Sequence, residues 1–420
     1  MRRTIMNRNT AFGILAVGLA VALVTPVARA ADPSGGVPGE WLSRWSGARS
    51  VGMGSAWVAY AQEPAGVIWN PAGIARLDRN EVHFETARLF EQTQLNAVSF
   101  AMPNRRLPAF GLTVLSLGSG DFEKTNDLNE PVGTFSEGEL AFLFSASKSI
   151  MPRLSVGTNV KVIRQSIDEF DASGWGFDLG VLFDVTRSIR VGASVQNLGG
   201  PGLTLRETTE KYPVETRGGF TASVLGGRGL VSAELHHVPG PGFSIQGGSE
   251  YWVHPSMALR LGYDVDAPAG GFSYRVRPDM RLDYGMTTHD LGVTHRFGIK
   301  YSFGGFQARA EAKPEIFSPL GAQPVTKIEL MAHTKADAEK WQLAIESEDG
   351  EVVRRFGGAG TPPAHVMWDG KDEVGLPLPD GEYEYQLVVV DAEGRELAAH
   401  ERIVRISTGG PRGSVPVLVN

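Results

Sequence analysis

From Asn80 to Phe303 the chain alternates apolar and polar residues with a period of two, the mark of half-buried strands. In VTHRFGIKYSF, Val293, His295, Phe297, Ile299, Tyr301 and Phe303 share one face. Thr294, Arg296, Gly298, Lys300 and Ser302 take the other. SIRVGASVQN sets Ile189, Val191, Ala193 and Val195 against Arg190, Gly192, Ser194 and Gln196. The pattern predicts fourteen strands, at 81–90, 94–103, 108–117, 136–149, 153–168, 173–185, 188–198, 214–225, 230–237, 243–253, 256–264, 270–277, 279–287 and 293–303.

The connections sort by length. Every second one is tight (NRRL, IMP, TR, GGRG, HP, PD), and the others include the two longest, GSGDFEKTNDLNEPVGT and GGPGLTLRETTEKYP. Short turns at one end and longer loops at the other mark an up-and-down transmembrane barrel with its short turns in the periplasm. A pair of soluble sandwiches would also alternate, but it has no reason to sort its loops. In a bilayer every backbone group must be paired, which favours closure of the sheet. The predicted fold is all-β, a 14-stranded transmembrane antiparallel barrel with an N-terminal plug and a small Ig-like sandwich.

A barrel of this size encloses more space than its own side chains fill. Residues 41–78 are the expected plug, ahead of a wall at 79–303. SGARSVGMGSAWVAYA supplies small residues for close packing, with Gly52 and Gly54 among them. Asn70-Pro71, followed by Ala72 and Gly73, then turns the segment back. Trp69 is expected to anchor it by packing. Glu139, Asp178, Glu234, Arg260, Arg275, Arg277, Arg281, Asp283 and Lys300 sit on polar faces and are expected to line the lumen, paired with one another and with the plug.

Past Phe303 the alternation stops. Residues 304–324 read as a linker with Gly, Pro and charge but no period, and 325–408 as a compact sandwich of short strands. Residues 409–420 read as a loose tail.

Composition narrows the compartment. The chain has 420 residues, a net charge of −7 and no cysteine. Its scattered lysines and arginines give no nucleic-acid footprint. Arg2, Arg3 and Arg8 precede the apolar run AFGILAVGLAVALV, and Ala28 and Ala30 fit an A-x-A cleavage site, so 1–30 reads as an export signal. An exported protein without disulfides must draw its stability from a large core or a closed sheet.

No enzyme signature is present. There is no H-E-x-x-H and no Cys ligand for zinc. Gly52-Met53-Gly54 lacks the third glycine of a dinucleotide turn, because Trp57 stands there. Asp369, Asp372 and Glu373 do not follow calcium-loop spacing and read as a solvated turn. No cofactor or metal is expected.

Three stretches carry resemblances. GARSVGMGSAWVAYAQEPAGVIWNPAGIARL resembles the N-terminal signature of the PorV/PorQ family of outer-membrane barrels. It is similar, more distantly, to the hatch of FadL-type long-chain fatty-acid transporters, whose Asn-Pro-Ala motif falls on Asn70, Pro71 and Ala72. Arg296-x-Gly298-x-x-Tyr301-x-Phe303 resembles the signal read by the barrel assembly machinery, here internal rather than C-terminal. WDGKDEVGLPLPDGEYEYQL resembles the FlgD-type Ig-like module. It contains Trp368, Asp369, Gly370, Asp372, Gly375, Gly381 and Tyr383.

The first resemblance implies a component or carrier in protein export to the cell surface, with secretion-system or exported proteins as partners. The alternative is a FadL-like uptake channel for hydrophobic small molecules. A third reading is a structural envelope protein docking through its Ig-like domain. In each, the barrel sits in outer-membrane lipid and the C-terminal domain in the periplasm.

Overall fold

The computed structural model describes residues 37–408 apart from 45, 91–92, 105, 266, 290–291 and 322–323. The expected export signal at 1–30 and tail at 409–420 lie outside the described residues. The chain divides into two units, 1–303 and 304–420.

The first unit opens with short elements only: helices α1 (Glu40–Arg44) and α2 (Ala48–Gly52), then the 3₁₀ turns η1 (Pro64–Ile68) and η2 (Pro71–Arg76). Proline heads both 3₁₀ turns, where its missing N–H has no partner to lose. Strands follow at β1 (Asn80–Arg88), β2 (Gln94–Met102), β3 (Ala109–Thr125), β4 (Pro131–Met151), β5 (Leu154–Ile167), β6 (Phe170–Asp184) and β7 (Ile189–Leu198). A small hairpin, β8 (Gly202–Leu205) and β9 (Thr208–Lys211), interrupts the series. It resumes with β10 (Glu215–Val224), β11 (Gly229–Val238), β12 (Gly242–His254), β13 (Met257–Asp264), β14 (Ala267–Arg277), β15 (Met280–His289) and β16 (Gly292–Phe303).

β1–β7 and β10–β16 form one closed ring of fourteen strands. β1 and β16 pair antiparallel from Asn80↔Phe303 to Arg88↔His295, which leaves no open edge. Alternation decides which side of the wall each residue faces. On β16, Val293, Phe297, Ile299, Tyr301 and Phe303 are exposed on the outside, while Thr294, Arg296 and Ser302 are buried inside. Phe84, Val98, Leu112, Phe142, Phe144, Leu179, Phe220 and Phe272 extend the same outer apolar belt around the ring. Such a belt on a closed sheet suits hydrocarbon. Among the described residues no helix is long and apolar enough to cross a membrane.

Two loop expectations are corrected. The stretch expected as the longest loop is mostly ladder, since β3 and β4 stay paired out to Thr125↔Pro131. Alternation fades there because both faces of this outer segment are largely solvent-exposed and neither is consistently apolar. The other long loop holds the β8–β9 hairpin, which folds back until Leu203 and Tyr212 are buried in the barrel's core cluster.

The second unit has β17 (Gln307–Lys313), β18 (Ile316–Phe317), β19 (Thr326–His333), β20 (Ala338–Glu346), β21 (Val352–Ala359), β22 (His365–Trp368), β23 (Gly381–Asp391), β24 (Glu396–Ala398) and β25 (Arg402–Ile406). One sheet runs β17-β19-β22 and the other β18-β25-β23-β20-β21, with β24 beside β23. The linker expected at 304–324 therefore contains β17 and β18. Ala308, Ala310 and Ala312 alternate with Gln307, Arg309, Glu311 and Lys313, and those alanines are buried in the core. Alanine is too weakly apolar for that alternation to register in the sequence.

Trp368 is fully buried in this core, with Phe317 and Tyr383 at ring-centroid distances of 5.4 and 5.5 Å. Its indole N–H donates to Lys371 O at 3.0 Å. Gly370 and Gly375 take positive φ in the following turn, and Asp372 Oδ1 accepts from Val374 N and Leu376 N. Asp369 Oδ1 accepts from Lys371 N at 3.3 Å, so these acids organise the turn. Gly381 opens β23, two residues before Tyr383.

Candidate functional site

The plug fills the lumen with nearly irregular backbone, whose N–H and C=O groups need partners once buried. Wall side chains provide them. Glu85 accepts from Gly47 N and Ala48 N at 2.7 and 2.9 Å. Glu234 Oε2 accepts from Trp57 N and Val58 N, both at 2.8 Å. Asn159 Nδ2 donates to Val67 O at 2.8 Å, and Ser194 Oγ to Trp69 O at 2.8 Å. Gln196 Nε2 donates to Ile68 O, and Ser147 Oγ to Ala72 O at 3.1 Å.

Asn70 joins plug to wall. Its Oδ1 accepts from Ala72 N at 3.0 Å, capping η2. Its Nδ2 donates to Val58 O at 2.8 Å within the plug and to Val181 O at 3.0 Å in β6. The wall comes this close because Gly180 has no side chain; a Cβ there would lie 2.0 Å from Asn70 Oδ1. Pro71 and Ala72 are buried with it, and Gly73 lies against Ala61 O too closely for any side chain. Gly54 has φ +63° and faces Tyr263 N, while Gly52 ends α2 beside Gly270 O. Trp69 is buried under the Arg217 guanidinium, 4.7 Å from its ring centroid.

On the β12–β15 side the plug is held by a buried charge network. Arg49 donates to both oxygens of Glu250, at 2.8 and 2.6 Å. Arg260 Nε reaches Glu250 Oε2 at 2.6 Å and its Nη2 reaches Asp283 Oδ1 at 3.2 Å. Arg281 bridges Asp283 Oδ2 at 2.9 Å and the plug's Glu63 at 2.7 Å. Ser273 Oγ contacts both Asp283 and Arg260. Three guanidinium groups thus alternate with three carboxylates, and none is left bare. Removing one partner of such a buried set costs about 3–5 kcal/mol.

The expected lumen charges fall into three groups. Arg260, Arg281 and Asp283 belong to this network; Glu234 holds plug N–H groups and Arg217; Asp178 holds Lys161 at 2.7 Å. Lys300 pairs with Glu81 at 2.8 Å, and Glu139 accepts from Tyr212 OH at 3.0 Å. Arg275 and Arg277 do not line the lumen. Both are exposed at the short-turn rim: Arg275, opposite Arg281 in the ladder, lies over the Trp252 ring, and Arg277, past a register shift, lies beside Asp279. In the last strand, Arg296 is buried with Nη1 on Thr294 Oγ1 at 2.7 Å. Gly298 makes room for His83, and Tyr301 and Phe303 stack outside at 5.8 Å.

Sequence reasoning missed Arg49, Glu63, Glu85 and Glu250. A signal was available: Arg49 and Glu63 are the only charges between Ser46 and Ala75, a stretch otherwise uncharged and rich in small and apolar residues.

The other side of the inner wall carries an apolar row. Ala97, Leu115, Ala141 and Ile163 are directly paired across β2–β5, and all are buried. Leu95 and Leu143 flank that row, and Trp41, Leu42, Val67, Ile68 and Ile74 of the plug share its cluster. The lumen is therefore two-sided, ionic towards β11–β15 and crossed towards β2–β5 by one oily row, with polar residues such as Thr113, Asn159 and Lys161 around it. A cavity of ≈ 180 Å³ lined by Arg49, Gln62, Asp184, Arg190, Glu250 and Trp252 lies near the short turns and is polar.

A family model described as the FlgD Ig-like domain matches residues 320–393. No curated protein matches the chain in sequence. Among solved structures, the "CymD monoaromatic hydrocarbon channel" is similar at 15% identity and TM-score 0.48, over 61% of this chain and 97% of that one. The Pseudomonas putida toluene transporter TodX is similar at 13% identity and TM-score 0.46, over 61% and 96%. A Pseudomonas aeruginosa FadL homologue gives 12% identity and TM-score 0.43, over 66% and 100%.

Proposed function

We propose that this chain is a plugged outer-membrane conduit for small hydrophobic compounds. The supporting observation is the two-sided lumen. A hydrophobic guest competes for the Ala97–Leu115–Ala141–Ile163 lane without unpairing any charge, while the Arg49–Glu250 side keeps the plug tethered. Burial of apolar area at about 25 cal/mol per Å² drives the entry of such a guest. Hydrocarbon passage is also named in the descriptions of CymD and TodX, but the reading here stands on the chemistry of this wall. It takes precedence over the export-carrier role expected first from the N-terminal motif.

The test is uptake of a radiolabelled aromatic hydrocarbon, at low concentration, by Gram-negative cells expressing the chain. Leu115→Asn and Ile163→Asn, each placed in the lane, should bring uptake down to the background of cells without the barrel. Wild-type uptake no higher than that background sinks the proposal.

A second reading has its own observation, the FlgD Ig-like match at 320–393. An even number of strands sends both ends of the wall out at the short-turn side, which we assign to the periplasm together with the C-terminal unit. There the unit would dock exported or envelope proteins. Cross-linking in intact cells followed by mass spectrometry tests this, and recovery of the chain alone argues against it.

A further inference from the structure

We infer that the long-loop mouth of the barrel carries a binding site for an amphipathic organic cation, a primary ammonium group on an apolar body. The inference rests on the uptake reading and names its substrate class. Glu139 on β4 and Gln165 on β5 are direct cross-strand partners, and Glu137 lies two residues along the same inward face. Tyr212 OH donates to Glu139 Oε2 at 3.0 Å, and Trp41 Nε1 donates to Tyr212 OH at 3.5 Å. Among the described residues no Lys, Arg or His pairs with Glu137 or Glu139. Asp178, deeper in the lumen, contrasts with them in holding Lys161 at 2.7 Å.

Gln165 points to the missing group. Only 8% of it is exposed, and its Nε2 donates to Glu137 Oε1 at 3.4 Å. That bond fixes the amide, leaving Gln165 Oε1 buried with no hydrogen-bond partner. A buried acceptor without a donor is destabilising, so a ligand that supplies one is favoured there. Two carboxylates and one orphaned carbonyl are all acceptors, and an –NH₃⁺ group with three donors matches them.

The surroundings select an organic cation. Leu117 sits directly beside Glu139 in the ladder, and Leu117, Leu203 and Leu205 pack in the same apolar cluster as Trp41 and Tyr212. Among the described residues no set of three His, Cys, Asp or Glu is arranged to hold a metal ion. Glu137, Glu139 and Leu117 are half-buried, so the site opens towards the mouth. The apolar lane of β2–β5 begins one row below it, at Leu115 and Ala141. A guest bound here has its head at the acids and its body already at the lane.

The experiment uses the full chain in lipid nanodiscs and calorimetric titration with 2-phenylethylammonium, 2-phenylethanol, 3-phenylpropionate and the trimethylated ammonium. The primary ammonium should bind at least about tenfold more tightly than the other three. Glu137→Gln with Glu139→Gln should abolish that preference and leave 2-phenylethanol binding unchanged. Glu137→Gln alone, at the more peripheral acid, serves if the double variant does not insert. Gln165→Leu should weaken the primary ammonium and spare the alcohol. Equal binding of ammonium and alcohol overturns the cation site and leaves hydrophobic uptake standing. If none of the four binds and cells show no uptake, both fall.

Discussion

Asn70→Asp is the sharpest test of how the plug is seated, because it changes hydrogen-bonding chemistry at constant volume. The wild-type amide donates to Val58 O at 2.8 Å and Val181 O at 3.0 Å. In the variant, Oδ1 still accepts from Ala72 N, but an acceptor replaces the donor and faces the carbonyl oxygens of Val58, Val181 and, at 3.4 Å, Ala193. Two buried hydrogen bonds are lost, and each donor–acceptor pair broken by removing one partner in the interior costs about 1–3 kcal/mol. A carboxylate with no cation adds to the loss. The sum is at least about 3 kcal/mol, which shifts plug seating by about 10²-fold, at 1.4 kcal/mol per factor of ten. Planar-bilayer conductance and liposome swelling with small sugars read the consequence, with a chain lacking 46–78 as the open reference. Raised conductance is expected. An Asn70→Asp barrel that inserts normally yet stays as tight as wild type, beside a conducting reference, would refute the idea that Asn70 locks plug to wall.

Two further outcomes follow from contacts elsewhere. In Gly285→Ala the new Cβ would lie 2.2 Å from Ala48 O, so α2 must shift, at a cost of about 1–3 kcal/mol. Hydrogen exchange over 46–52 should accelerate, whereas Gly118→Ala, whose Cβ meets open space, should leave it unchanged. In the C-terminal unit, burial pushes the Asp391 carboxyl up. Hydrogen bonds and charge from Arg395, with Glu393 N–H, more than offset this and hold it below the ordinary aspartate range. Its stabilisation is complete above the unfolded value of ~3.9 and is lost as pH falls through the lower folded value. Asp391→Asn should therefore flatten the acid side of that unit's melting-temperature profile; an unaltered slope would show that another group sets it.

Much of the wall was legible in the sequence. Facing is a local matter: lipid outside and a packed polar interior inside impose period-two alternation on every strand, so Phe297 and Arg296 declare their sides from their neighbours alone. Trp368 and its glycine-bearing turn were legible for a similar reason, since turn chemistry acts over a few residues. The alternation failed where its physics fails. Beyond the apolar belt both faces of β3 and β4 meet polar surroundings, and in β17 the buried face is only alanine.

Which groups meet across the lumen was decided by tertiary structure. Arg49 and Glu250 are 201 positions apart, and only closure of β1 on β16 and the registers around the ring bring that carboxylate to the plug. The registers of neighbouring strands β2–β5 gather Ala97, Leu115, Ala141 and Ile163 into one lane and set Glu139 beside Gln165. At the rim, a bulge no periodicity announces separates Arg275 from Arg277. Alternation fixes inside from outside because it depends on adjacent residues. Partnership between plug and wall depends on bringing together segments far apart in the chain, and that is specified only when the sheet closes around the plug.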